Sequence, residues 1–309
     1  MLKIGLFSIF LFLFPTNFFA SAKELAIMKR DANLETSVED IRGIFTENNK
    51  VVYVGEDGMK IYSRSYITSE DRPLFSSKEK NKTHLIIGYQ EKDDFWSGLT
   101  LIEGGYLLLD GFKARMLRLD ASFKLLSIAP IGWKDVLPPK DRLGEAPMFE
   151  VKRLREKFNL EMMAAPGRRI KSMTLLSNKK GVYEILALTS TKNFPVVEIR
   201  CLGEKEFRCS ITRACRSGLI KGVDFNHRAG LTKRTHDSSL YFVDSRKKVV
   251  YGGLYKGCLD ISFQDTYGLP DRLPKISSAF VGPKFLWLGT ESKDNYFNSS
   301  IFPFIVEKR

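Results

Sequence analysis

The chain has 309 residues, of which 43% are hydrophobic and 28% charged, and a formal net charge of +13. It is too rich in apolar residues for a disordered polymer, and long enough for two ordinary domains or one large all-β domain. With only three histidines (His84, His227, His236) and four cysteines, it has little material for multi-histidine metal chemistry.

The first residues read as an export signal. Lys3 supplies a positive start, Ile4 to Phe14 an apolar run, and Ala20-Ser21-Ala22 a small-residue cleavage pattern. Residues 1–22 are therefore expected to be a signal peptide cut after Ala22, leaving 23–309 as one domain outside the cytoplasm, periplasmic or secreted. Pro15, Thr16 and Asn17 interrupt the run too early for a spanning helix, and no later segment is long and apolar enough to span.

Two stretches of the remaining chain are alike. Ser97–Asp120 and Ala229–Gly253 each open on small-Gly-Leu-Thr, pass a polar turn, and run through an apolar strand to an aspartate, Asp110 or Asp244. A basic turn and a second strand follow. Weaker copies begin at Arg42, Ser172 and Ser277. Each unit reads as short strands rich in β-branched and aromatic residues joined by polar, Gly-containing turns. Units of this length with four strands each are propeller blades. Tyr267-Gly268-Leu269-Pro270 followed by Leu286-Trp287-Leu288-Gly289-Thr290 resembles the repeat of the sensor-type β-propeller class. The expected fold is an all-β propeller of five or six four-stranded blades, a sixth being available from strands before Arg42. The alternative is a β-sandwich with two similar hairpins.

The interval between the second and third units is long, and residues 133–168 fill it. Val151, Leu154, Phe158 and Met162 fall on one helical face, while Lys152, Arg153, Arg155 and Lys157 fall largely on the others. Pro147 suits the first turn, and Pro166-Gly167 ends the run. An amphipathic helix of about 17 residues is thus inserted into the β chain. Blade topology places it on the face that carries the turns after Asp110 and Asp244, beside the mouth of the channel.

Cys201, Cys209, Cys215 and Cys258 are even in number and lie in the exported portion, which favours two disulfides. Cys201 and Cys209 flank a hairpin turn, so the preferred pattern joins them and pairs Cys215 with Cys258; sequence alone leaves three connectivities open. Their spacing matches no common zinc pattern.

The charge is unevenly distributed. Residues 151–250 hold 22 basic and 9 acidic side chains, whereas 1–150 hold 20 and 21 and 251–309 hold 7 and 6. The whole excess sits in one hundred residues, which suggests an acidic protein or an anionic envelope polymer as partner. Candidate binding residues are Arg153, Arg155, Lys157, Arg168, Arg169, Lys247 and Lys248. An exported location argues against nucleic acid.

The sequence has no G-x-S-x-G elbow, H-E-x-x-H, P-loop, G-x-G-x-x-G or EF-hand loop. His236-Asp237 lies in a polar turn and reads as solvated. The expected function is non-enzymatic binding through a basic propeller face, without cofactor. The alternative is a secreted metal-dependent hydrolase of lactonase, esterase or glycosidase type, with Asp93, Asp94 and Asp224 at the channel mouth holding Ca²⁺ or acting as acid–base pairs.

Overall fold

Runs rich in Val, Ile, Leu, Tyr and Phe, broken by Gly- and Asn-containing turns, form the strands of a computed structural model. The structure describes residues 23–24, 33–55, 58–67, 74–91, 96–136, 148–165, 167, 169–203, 206–234, 237, 239–292 and 299–305. The expected signal peptide, residues 1–22, lies outside them.

Two short strands come first, β1 (Lys23–Glu24) and β2 (Leu34–Glu35). Blade 1 is β3 (Gly43–Glu47), β4 (Lys50–Val54), β5 (Lys60–Ser65) and β6 (Lys82–Leu85), and blade 2 is β7 (Trp96–Ile102), β8 (Gly105–Asp110), β9 (Arg115–Asp120) and β10 (Leu125–Gly132). Helix α1 (Met148–Ala164) intervenes. Blade 3 is β11 (Ile170–Lys179), β12 (Val182–Thr189), β13 (Val196–Leu202) and β14 (Arg208–Cys215). Blade 4 is β15 (Arg228–Lys233), β16 (Ser239–Asp244), β17 (Val249–Tyr255) and β18 (Ile261–Gly268). Blade 5 takes β19 (Ile276–Val281), β20 (Phe285–Thr290) and β21 (Ser300–Ile305), with β2 as its outermost strand.

The described strands therefore make a five-bladed propeller. Of the described strands before Arg42, β2 completes the fifth blade and β1 joins the fourth, so neither starts a sixth. Leu34 pairs with Ile301 and Glu35 with Ser300, and Thr36 and Ser299 extend the clasp through main chain and hydroxyls. β1 joins the outer edge of blade 4 in parallel, Lys23 opposite Tyr267. A β-sandwich is ruled out, since β3, β7, β11, β15 and β19 pack side by side in a closed ring.

Small residues make that ring possible. A Cβ on Gly43 would stand 2.9 Å from Leu99 N, and one on Gly230 would stand 2.9 Å from Ala279 N. Neighbouring inner strands share no ladder, so hydroxyls supply bonds between them. Ser172 Oγ accepts from Leu231 N at 3.1 Å, Thr174 Oγ1 from Lys233 N at 3.1 Å, and Thr232 Oγ1 from Val281 N at 2.9 Å.

An apolar cluster fills each joint between blades. Leu117 and Trp96 lie between blades 1 and 2, Phe242 and Leu188 between 3 and 4, and Trp287 and Tyr53 between 5 and 1. Beyond its outer strand the chain reaches the next blade and bonds to it in parallel. Ile87 bridges to Lys124, Ile131 and Gly132 to Cys209 and Ser210, and Lys221 to Ser262.

Two disulfides form, and there are no free cysteines. Cys201 and Cys209 lie directly opposite on β13 and β14, with Cα atoms 4.1 Å apart. Cys215, at the end of blade 3, is bonded to Cys258 in the outer hairpin of blade 4. Among the described residues no helix is long and apolar enough to cross a membrane.

Candidate anion-binding mouth of the channel

Within each blade the inner strand starts on one face, and the turn between second and third strands opens on that same face. A cavity of about 240 Å³ lies there, lined by the first residues of inner strands from four of the five blades. Arg42 precedes β3, Lys171 is the second residue of β11, Arg228 begins β15 and Lys275 precedes β19. His227 and Asn226 join from blade 4, and Glu291 is the single acid of the lining among the described residues.

The two sides of the cavity differ. On the side of blades 5 and 1, Glu291 accepts from Lys275 Nζ at 2.8 Å and lies 3.9 Å from Arg42 Nη1, while Arg42 also pairs with buried Asp40. On the side of blades 3 and 4, the Arg228 guanidinium donates to the main-chain carbonyls of Phe225 and Thr189. Those carbonyls orient the guanidinium without neutralising it. Burial draws Arg228 down to about 10, although Glu161 and Asp224 oppose the shift, so it stays charged at neutral pH. His227 Nε2 lies 3.3 Å from Arg246 Nη1.

The turns beside the mouth are fixed by buried acids. Asp110 Oδ1 accepts from the N–H of Phe112 and Lys113, and Asp244 Oδ1 from those of Arg246 and Lys247. The equivalent Thr189 accepts from Thr191 N and donates to Phe194 O.

Helix α1 covers blades 2 and 3 on this face. Leu154, Phe158 and Met162 are buried, and the Phe158 ring meets Phe194 edge-on with centroids 5.4 Å apart. Glu161 Oε2 accepts from Asn193 N at 2.9 Å, and Asn159 Nδ2 donates to Lys134 O at 3.1 Å.

Arg153 and Lys157 are exposed on the helix, and Lys247 is exposed in the turn after Asp244. Arg155 is half-buried. Arg169 lies with its guanidinium 5.6 Å from the Trp133 ring centroid, and Lys248 Nζ donates to Asp271 O, so both side chains are held by neighbours. Arg168, His236, Asp93 and Asp94 lie outside the described residues. Asp224 is exposed and accepts from Asn226 Nδ2. Among the described residues no three His, Cys, Asp or Glu side chains are grouped to hold a metal ion.

Arg42, Lys171, Arg228 and Lys275 carry no local motif. Their common signal is phase, since each stands within two residues of the start of an inner strand.

No protein family matches the chain by sequence, and no curated protein does. Solved structures match in shape. Glutaminyl cyclase from Myxococcus xanthus is 8% identical, with a TM-score of 0.51 over 93% of this chain and 99% of that one. Regucalcin, a calcium-binding protein from Agrobacterium tumefaciens, is 10% identical, with a TM-score of 0.46 over 94% and 97%. A streptogramin B lyase is 10% identical with a TM-score of 0.38; the match covers 85% of this chain and 65% of the lyase's length. At these identities the likeness concerns the fold alone, and the fold is a β-propeller.

Proposed function

We propose that the chain is an exported binding protein that takes an acidic protein or anionic envelope polymer on its helix-bearing face, anchored at the channel mouth. The observation that carries this reading is the cavity whose lining, among the described residues, sets Arg42, Lys171, Arg228 and Lys275 against one acid, Glu291, with Asp40 behind Arg42. Arg228 contributes most. Its burial has already removed part of its hydration, and the carbonyls of Thr189 and Phe225 hold it in place, so an arriving anion meets a preorganised donor. Arg153, Lys157 and Lys247, exposed on the same face, widen the positive field around the mouth. The two disulfides fit an oxidising compartment.

Fluorescent poly-L-glutamate binding at increasing salt tests the reading. Affinity should fall steeply as the screening length shrinks from about 10 Å at 0.1 M to about 3 Å at 1 M. Replacing both Arg228 and Lys171 by Gln should weaken binding about tenfold or more, in line with the loss of charge-assisted bonds. Binding indifferent to salt and to both replacements would refute the proposal.

A further inference from the structure

Away from the mouth, a cleft of about 500 Å³ runs between blades 3 and 4, at the opposite ends of their inner strands. The apolar packing of this joint gives way here to charge. Arg200 lines the cleft from β13, Arg213 from β14 and Lys256 from the turn after β17, and Glu184 and Glu198 face them.

Glu198 is the fixed point. Its side chain is 15% exposed. Its Oε1 accepts from Tyr255 Oη at 2.7 Å and from Cys258 N at 3.3 Å, and its Oε2 lies 3.7 Å from Arg213 Nη1. Burial, then the Glu198 carboxylate, pushes the Tyr255 hydroxyl well above its ordinary range, so it stays a donor. The Cys215–Cys258 disulfide ties the same hairpin to blade 3, so the cleft is braced covalently as well as by hydrogen bonds. Glu184 is set by Ser177 Oγ at 2.9 Å. Lys233 also reaches the cleft, but its ammonium is occupied by the carbonyls of Asp237 and Arg234.

Such a lining offers two kinds of contact within one cavity. Exposed guanidiniums at Arg200 and Arg213 suit a carboxylate. Carboxylates at Glu184 and Glu198 are acceptors only and suit hydroxyl donors. We infer that the cleft is a second ligand site, for a small organic acid bearing several hydroxyls, of the sugar-acid class. The acid group meets Arg200 and Arg213, and the hydroxyls meet Glu184 and Glu198. The site is independent of the mouth.

Calorimetric titration with glucuronate tests this, with glucose and acetate as the partial ligands. Glucuronate should bind more tightly than either by about tenfold or more, since each lacks one half of the match. Arg200→Gln with Arg213→Gln should lower glucuronate affinity at least about tenfold. Glu184→Gln should weaken glucuronate and leave acetate alone. Arg200 and Arg213 are exposed, so an unaltered melting temperature should accompany the lost binding. Absence of glucuronate binding, equal binding of acetate, or affinity insensitive to the paired Arg replacements would each overturn the assignment.

Discussion

Asp110 and Asp244 occupy the same place in blades 2 and 4, and only one of them has a cation for its second oxygen. Both are fully buried, and both close the following turn through Oδ1. Opposite Asp110 on β9 stands Arg115, whose Nε donates to Oδ2 at 3.0 Å. Opposite Asp244 on β17 stands Val249, and among the described residues Asp244 Oδ2 has no hydrogen-bond partner. Asp110→Asn should therefore cost about 1–3 kcal/mol, and Asp244→Asn less than about 1 kcal/mol or even stabilise. Urea unfolding of the two variants gives the comparison, and equal losses would contradict it.

The two disulfides should differ in weight. They enclose sequence separations of 8 and 43 residues. Loop-closure entropy assigns about 2.5 kcal/mol to Cys201–Cys209 and about 4 kcal/mol to Cys215–Cys258. Paired Cys→Ser variants measured by chemical denaturation should keep that order. Loss of Cys215–Cys258 should also loosen the joint at Lys221 and Ser262, seen as faster amide exchange there.

His84 makes stability depend on pH. Burial, followed by Lys82 and Lys50, holds it below its ordinary 6.5, while its Nε2 lies 2.9 Å from Ser63 Oγ. The unfolded chain then takes up the proton more readily than the folded one. Stability is full above about pH 6.5, falls as pH drops below it, and stops falling once pH is under the folded value. The urea midpoint should decline less between pH 7 and 5 in His84→Gln than in the native chain.

Two inner-strand glycines should respond unequally to an added methyl. At Gly43 the nearest obstacles are main-chain atoms of Gly98 and Leu99, at 2.9–3.0 Å. At Gly98 the nearest is Met173 Cγ at 2.6 Å, part of a flexible side chain. Gly43→Ala should cost about 1–3 kcal/mol and Gly98→Ala less, because methionine can move aside. Thermal melts of the two variants would show the order.

Much of this architecture can be read from residue order. The repeat starts at Arg42, Ser97, Ser172, Ala229 and Ser277 fall within two residues of the starts of the inner strands, and at Gly43, Gly98 and Gly230 the neighbouring inner strand comes within 3 Å of where a Cβ would stand. Leu154, Phe158 and Met162 were legible as a buried helical stripe because their spacing is local. The clasp was not legible, since β2 is two residues long and its partner lies at the other end of the chain. Nor was the mouth: single cations such as Lys171 and Arg228 carry no signal until the repeat is laid in register. Arg169 and Lys248 look free in sequence, yet Trp133 and Asp271 hold them.

The clasp between β2 and β21 also sets a schedule for synthesis. Thr36 and Ser299, bonded side by side in the finished ring, are 263 positions apart along the chain. At a synthesis rate of about 5–20 residues per second, Thr36 must wait roughly 13 to 53 s for its partner. Throughout that interval blade 5 is incomplete and the side of blade 1 that will adjoin it stands bare, joined by the matching side of blade 4 once residue 268 has been made. A chaperone that shields those two flanks during the delay would suppress aggregation more than one acting on the completed blades 2 and 3.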